Sequence, residues 1–164
     1  MEHFKVRDLS LAKDGALTIN WAENRMPVMT ALKKEFKAKK PLEGIQICGC
    51  LHVTKETAVL MRTLKAGGAK LALCGSNPLS TQDNVAAALV KDGVNIYAWR
   101  DQTTDEYYDC IERVLSYKPN VTIDDGADLI ASLHSKKRGL LKDIIGGTEE
   151  TTTGAIRLRS MAKE

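Results

Sequence analysis

No apolar run in this 164-residue chain approaches the ~20 residues needed to cross a bilayer. Residues 1–10 are charged and lack an apolar core, so no secretory leader is expected and a cytoplasmic location is. Neither a G-x-G-x-x-G nor a Walker A pattern occurs, which excludes the common glycine-rich phosphate cradles: Gly44 to Gly49 is too sparse, and Gly67-Gly68 lies on the wrong side of a strand. The ligand is therefore expected to be less phosphorylated than a nucleotide, or to leave that part to another domain. The four cysteines, Cys48, Cys50, Cys74 and Cys110, contain no C-x-x-C pair, so no metal site is expected and they read as buried, reduced thiols. Net charge is only +3 and is spread along the chain. The densest basic stretch, 33–40, has no aromatic or Gly-rich loop beside it and reads as the solvated face of a helix, not a nucleic-acid site.

What is present is an alternation of periods. The length suits one domain with a hydrophobic core. The first forty residues are helical in character, with Pro27 at a tolerated first-turn position, a buried stripe expected at Val28, Leu32 and Phe36, and Pro41 as the stop. Apolar strand-like segments then fall at 45–50, 69–74, 94–99, 121–123 and 141–145, separated by helical stretches near 54–66, 81–91, 104–117 and 127–134, with a last helix at 155–164. This pattern predicts an α/β, Rossmann-like three-layer domain. Its sheet of about five strands should be mostly parallel, at 42–164, preceded by N-terminal helices at 1–41.

Right-handed crossovers place the loop after every strand on one edge of such a sheet, and ligands bind outside those carboxyl ends. That rule gathers His52 and Thr54, Ser80 and Gln82, Asp124 and Asp125, and Glu149 to Thr153 into one region. His52 follows a strand at the mouth of a helix, where the helix dipole disfavours imidazolium and leaves the ring able to accept a proton. A backbone-bonded structural histidine is the other reading, and a carboxylate on the same edge favours the chemical one. The run Glu149-Glu150-Thr151-Thr152-Thr153-Gly154 reads either as a helix cap preceded by solvated acids or as a polar ligand site.

Four segments together carry a resemblance: Gly49-Cys50-Leu51-His52-Val53-Thr54-Lys55-Glu56-Thr57-Ala58, Ser76-Asn77-Pro78-Leu79-Ser80-Thr81-Gln82-Asp83, Asp124-Asp125-Gly126-Ala127-Asp128 and Glu149 to Gly154. In order and spacing they resemble the N-terminal substrate-binding portion of the S-adenosyl-L-homocysteine hydrolase family, in its archaeal and thermophilic form. The resemblance implies an NAD-dependent thioether hydrolase that oxidises the ribose 3′-hydroxyl, eliminates homocysteine, adds water and reduces the ketone again. It places His52 and Asp125 at the C5′ proton transfers, Glu150 on ribose hydroxyls, and Thr54 and Glu56 at the purine. Ser80 and Gln82 would line the substrate cavity, and Thr151, Thr152 and Thr153 would reach the nicotinamide-ribose end of NAD. A missing NAD-binding domain and a homo-oligomer of the full-length enzyme are implied as partners, with no nucleic acid and no membrane.

Two positions depart from the family pattern. Ala127 stands where a second glycine is common, a change that matters only if the residue needs a positive φ. Glu56 stands at a position that is Gln in many members and Glu in others; ionised, it can only accept a hydrogen bond, which suits the N1–H of hypoxanthine better than adenine and keeps S-inosylhomocysteine open as a substrate. The last helix ends without a Gly or Pro stop, so an expressed fragment or a truncated gene is expected, inactive by itself. A truncated non-catalytic paralogue that binds nucleosides, and a generic flavodoxin-like signalling domain, are the competing readings.

Overall fold

The computed structural model describes residues 3–163. A 3₁₀ turn at Leu9–Leu11, capped by the Asp8 carboxylate, leads into α1 (Ala12–Glu23), and α2 (Pro27–Lys39) follows with Pro27 in its first turn. The chain then alternates: β1 (Gln46–Leu51), α3 (Lys55–Ala66), β2 (Lys70–Gly75), α4 (Asp83–Lys91), β3 (Asn95–Tyr97), α5 (Thr104–Leu115), β4 (Val121–Asp124), α6 (Asp128–Ser135), β5 (Gly146–Glu149) and α7 (Thr152–Met161). The sheet order is β3-β2-β1-β4-β5 and every pairing is parallel. Among the described residues no helix is long and apolar enough to cross a membrane.

Side-chain alternation along the strands builds three layers. Ile47, Leu51, Leu71, Leu73 and Ile96 face one way and pack on α1, α3 and α4 through Ile19, Val59, Met61, Val85 and Leu89. Cys48, Cys50, Ala72, Cys74 and Tyr97 face the other way and pack on α5 and α6 through Ile111, Val114, Leu115, Leu129 and Leu133. All four cysteines are free and buried, and burial pushes the Cys48 thiol up to about 12. The capping box of Thr103 and Glu106 sets the start of α5, satisfying two otherwise orphan N–H groups.

Two expectations are corrected. The apolar segment at 141–145 is not a strand: residues Arg138–Asp143 form a 3₁₀ helix whose Leu140 and Leu141, with Ile144, pack against the α5–α6 core. The fifth strand is instead Gly146–Glu149, which has no large apolar residue and is held by its ladder to β4. In α2 the expected stripe does not form: Val28 is 77% exposed, while Leu32 and Phe36 are half-buried. Near the N-terminus, Lys5 pairs in parallel with Tyr97 at the outer side of β3, a contact too short to leave a strand-like pattern in the sequence.

Candidate active site at the switch point

Strand β1 lies between β2 and β4, and the connections leaving β1 and β4 run in opposite directions across the sheet. The crevice at their carboxyl ends is the topological switch point, where doubly wound sheets bind ligands. His52 is the first residue beyond β1, Asp125 the first beyond β4, and Ser76 and Ser80 lie in the loop beyond β2. These four meet. His52 Nε2 is 3.2 Å from Asp125 Oδ2, and His52 Nδ1 is 2.6 Å from Ser80 Oγ. With Asp125 as an acceptor, Nε2 carries a proton, while Nδ1 is hydrogen-bonded to the Ser80 hydroxyl, whose oxygen also stands 3.1 Å from the Asn77 carbonyl as a donor to it. The ring is thus bonded to side chains rather than to backbone. Its side chain is 44% exposed and that of Asp125 only 12%, so solvent or a ligand reaches the histidine from one side.

The other anticipated residues surround this pair. Thr54 is the N-cap of α3, its Oγ1 accepting from the Thr57 N–H at 3.5 Å. Glu56, in the first turn of α3, is exposed and paired with Lys55 Nζ at 3.0 Å. Burial acts upward on its carboxyl, but hydrogen bonds from Lys55, its own N–H and Thr54 outweigh that, and it lies below the usual glutamate value. Gln82 precedes α4 and its Oε1 accepts from the Lys55 N–H at 3.1 Å, tying the start of α3 to that of α4. Gln82 also lines a surface cavity of about 470 Å³ with Trp21, Lys55 and Asn84.

The junction after β5 is built differently from a threonine cap. Thr151 occupies the N-cap of α7, yet its hydroxyl makes no capping bond. The Glu149 carboxylate does the work: Oε1 accepts from Gly126 N at 2.8 Å and Thr151 N at 3.0 Å, and Oε2 from Ala127 N at 2.9 Å. Gly154 packs so closely on this carboxylate that a Cβ there would overlap it. Glu150, Thr152 and Thr153 are exposed on the same edge and carry no hydrogen bond to the His52–Asp125 pair. The hydroxyls of Thr151, Thr152 and Thr153 are likewise unengaged among the described residues.

Three roles at the site escaped the sequence reading, although Asp124 and Glu149 were themselves placed on this edge by it. Glu149 and Asp124 face each other in the β4–β5 register, and that pairing would have marked them as a linked pair. Asp124 is fully buried and its Oδ2 accepts the Leu129 and Ile130 N–H groups, at 2.8 and 3.2 Å, at the start of α6. Ser76 donates to Asp125 Oδ2 at 3.0 Å. Ala127, whose significance hung on its φ, has φ +63° and is completely buried. A glycine would relax there, so the methyl costs about 1 kcal/mol, which the Glu149 bond to its N–H helps to offset.

Comparison with known proteins identifies the family. The family model described as S-adenosyl-L-homocysteine hydrolase matches residues 3–140. The adenosylhomocysteinase of Sulfolobus acidocaldarius is 57% identical over 161 residues, 98% of this chain and 38% of that protein. That of Saccharolobus solfataricus is 56% identical over 162 residues, 98% of this chain and 39% of that protein. The S-inosyl-L-homocysteine hydrolase of Methanocaldococcus jannaschii is 52% identical over 161 residues, 98% of this chain and 39% of that protein. The chain therefore spans about two fifths of the length of the curated relatives it matches. A match over most of the chain, on a fold whose switch point gathers His52, Ser80 and Asp125, makes the chain a member of the S-adenosyl-L-homocysteine hydrolase family.

Proposed function

We propose that this chain is the substrate-binding part of an NAD-dependent thioether hydrolase that splits S-adenosyl-L-homocysteine into adenosine and homocysteine. In this reading residues 42–164 form the substrate-binding domain and residues 1–41 are helices packed on it. The observation that carries it is the contact between His52 Nε2 and Asp125 Oδ2 at the switch point. A hydrogen-bonded imidazole–carboxylate pair can deliver a proton to a departing thiolate at C5′ and take one from the entering water. Glu150, an acceptor-only group open to the same edge, holds ribose hydroxyls. Thr54 and Glu56 meet the purine from the start of α3, while Ser80 and Gln82 shape the cavity wall. The unengaged hydroxyls of Thr151, Thr152 and Thr153 suit a polar cofactor and hold NAD at its nicotinamide-ribose end. NAD, when bound, supplies acceptance and return of a hydride at the ribose 3′ carbon.

The isolated chain is expected to bind the nucleoside weakly and not to hydrolyse it. Titrating the labelled chain with S-adenosylhomocysteine should shift backbone amide signals at 52–57 and 125–127. No change there at millimolar ligand would remove the reading, and detectable homocysteine release by chain plus NAD would overturn the expected inactivity.

A second reading is favoured by one feature, the Lys55–Glu56 pair. Lys55 holds Glu56 in its ionised form, which accepts from the N1–H of hypoxanthine but meets a lone pair at N1 of adenine. The substrate would then be S-inosylhomocysteine. In a complete enzyme carrying this segment, Glu56→Gln is expected to move the kcat/KM ratio toward the adenosyl thioether by about 10–100-fold, the worth of one hydrogen bond made or opposed. A ratio that does not move would end the inosine reading.

A further inference from the structure

We propose that Ser76 is a positioning residue for Asp125: together with His52 it pins one carboxylate oxygen, so that the other is the one offered to the substrate. The inference rests on the reading of Asp125 as a proton-handling group. Ser76 Oγ donates to Asp125 Oδ2 at 3.0 Å, and His52 Nε2 reaches the same oxygen at 3.2 Å. Among the described residues nothing donates to Oδ1. Both donors therefore converge on one oxygen and leave its twin without a protein partner, although the Asp125 side chain is only 12% exposed.

Topology makes Ser76 able to do this. It lies one residue beyond β2, Asp125 one residue beyond β4, and β1 with His52 runs between them. The Ser76 hydroxyl thus spans the end of β1 and closes a chain of side chains: Ser80 to His52 Nδ1, His52 Nε2 to Asp125, Asp125 to Ser76. Its own backbone does not depend on that hydroxyl. The Ser76 N–H donates to the Leu51 carbonyl at 3.0 Å, and the Ser76 carbonyl lies 3.3 Å from Tyr107 Oη. Loss of the hydroxyl should leave the loop in place and free only the carboxylate.

A carboxylate held by His52 alone can turn about its last bond and exchange its two oxygens, since either can accept from Nε2–H. Held from two sides it cannot turn without breaking both bonds. Proton transfer demands heavy atoms at hydrogen-bond distance and in line, so this restriction acts on the chemical step more than on substrate affinity.

The test is Ser76→Ala beside Ser76→Thr, which keeps a hydroxyl. On the chain itself, exchange of the His52 Nε2 proton with water is read by ¹⁵N-edited imidazole spectra. Ser76→Ala should speed it about tenfold, the loss of one modest hydrogen bond's restraint, and Ser76→Thr should return it close to the starting rate. In a complete enzyme carrying the segment, Ser76→Ala should lower kcat about tenfold and leave KM for S-adenosylhomocysteine nearly unchanged. Unchanged exchange in a Ser76→Ala chain whose amide spectrum remains folded would overturn the proposal. Normal turnover by Asp125→Asn would instead remove the proton-handling reading, and the exchange result would still decide the placement of Asp125 by Ser76.

Discussion

Asp125→Asn, in a complete enzyme that carries this segment, is expected to slow turnover by about 10²–10⁴-fold while KM changes little, the range for losing a positioned acid–base group. Asn has nearly the same shape, and its Oδ1 can still accept from His52 Nε2 and from Ser76 Oγ. It cannot take up or release a proton. The substitution therefore separates placement from proton transfer more cleanly than His52→Ala, which would also remove the ring that joins the Ser80 hydroxyl to the Asp125 carboxylate and leave Asp125 held by Ser76 alone. Steady-state kcat and KM, with thermal unfolding of the same sample to show an intact fold, check the outcome. A kcat equal to that of the unsubstituted enzyme would take Asp125 out of the chemistry.

The features legible in the sequence are those with a period or a topological rule behind them. Cys48 and Cys50 lie two apart on a buried strand and enter the same core, as alternation requires. His52 and Asp125 come together because parallel strands deliver their following loops to one edge. What was hidden has no such rule. The strand Gly146–Glu149 is nearly devoid of apolar side chains and becomes a strand only because β4 offers a ladder, whereas the apolar residues just before it are used to cover α5 and α6. Two adjacent glutamates look alike in a sequence, yet strand alternation turns Glu149 inward onto three N–H groups and leaves Glu150 on the open edge. The threonine run suggested a hydroxyl cap, but the Thr151 hydroxyl makes no capping bond, and the Glu149 carboxylate two residues earlier takes the Thr151 N–H instead. The left-handed conformation of Ala127 follows from the tight turn between β4 and α6, which no pattern of residue types announces when alanine occupies it.

Asp124 gives the second large effect, on stability. Its carboxyl is fully buried, and that burial pushes it up to about 6, aided by the Glu149 charge and opposed by the N–H groups of Ile130 and Leu129. In an unfolded chain the same group titrates near its ordinary 3.8. Between those two values the folded protein keeps a proton that the unfolded chain has released. Folding stability from this group is therefore fully present below about pH 4 and is lost as pH rises through 6, the reverse of a salt-bridged aspartate. Two pH units correspond to about 3 kcal/mol. Asp124→Asn abolishes the titration, and the Asn carbonyl can still accept from Leu129 N and Ile130 N. Urea unfolding of both proteins across pH 4 to 7.5 should show the wild type losing about 3 kcal/mol relative to Asp124→Asn, with the change centred between 4 and 6. Parallel curves would mean that Asp124 is ionised in the folded state throughout. The acidic partner across the ladder sharpens the outcome: Glu149→Gln removes the neighbouring charge, so the midpoint of the remaining Asp124 transition should move down. A carboxylate kept unpaired at Oδ1 beneath the switch point is a standing cost to the fold. It is borne where the same residue caps the helix that follows Asp125, so the stability lost there maintains the placement of the group next to it.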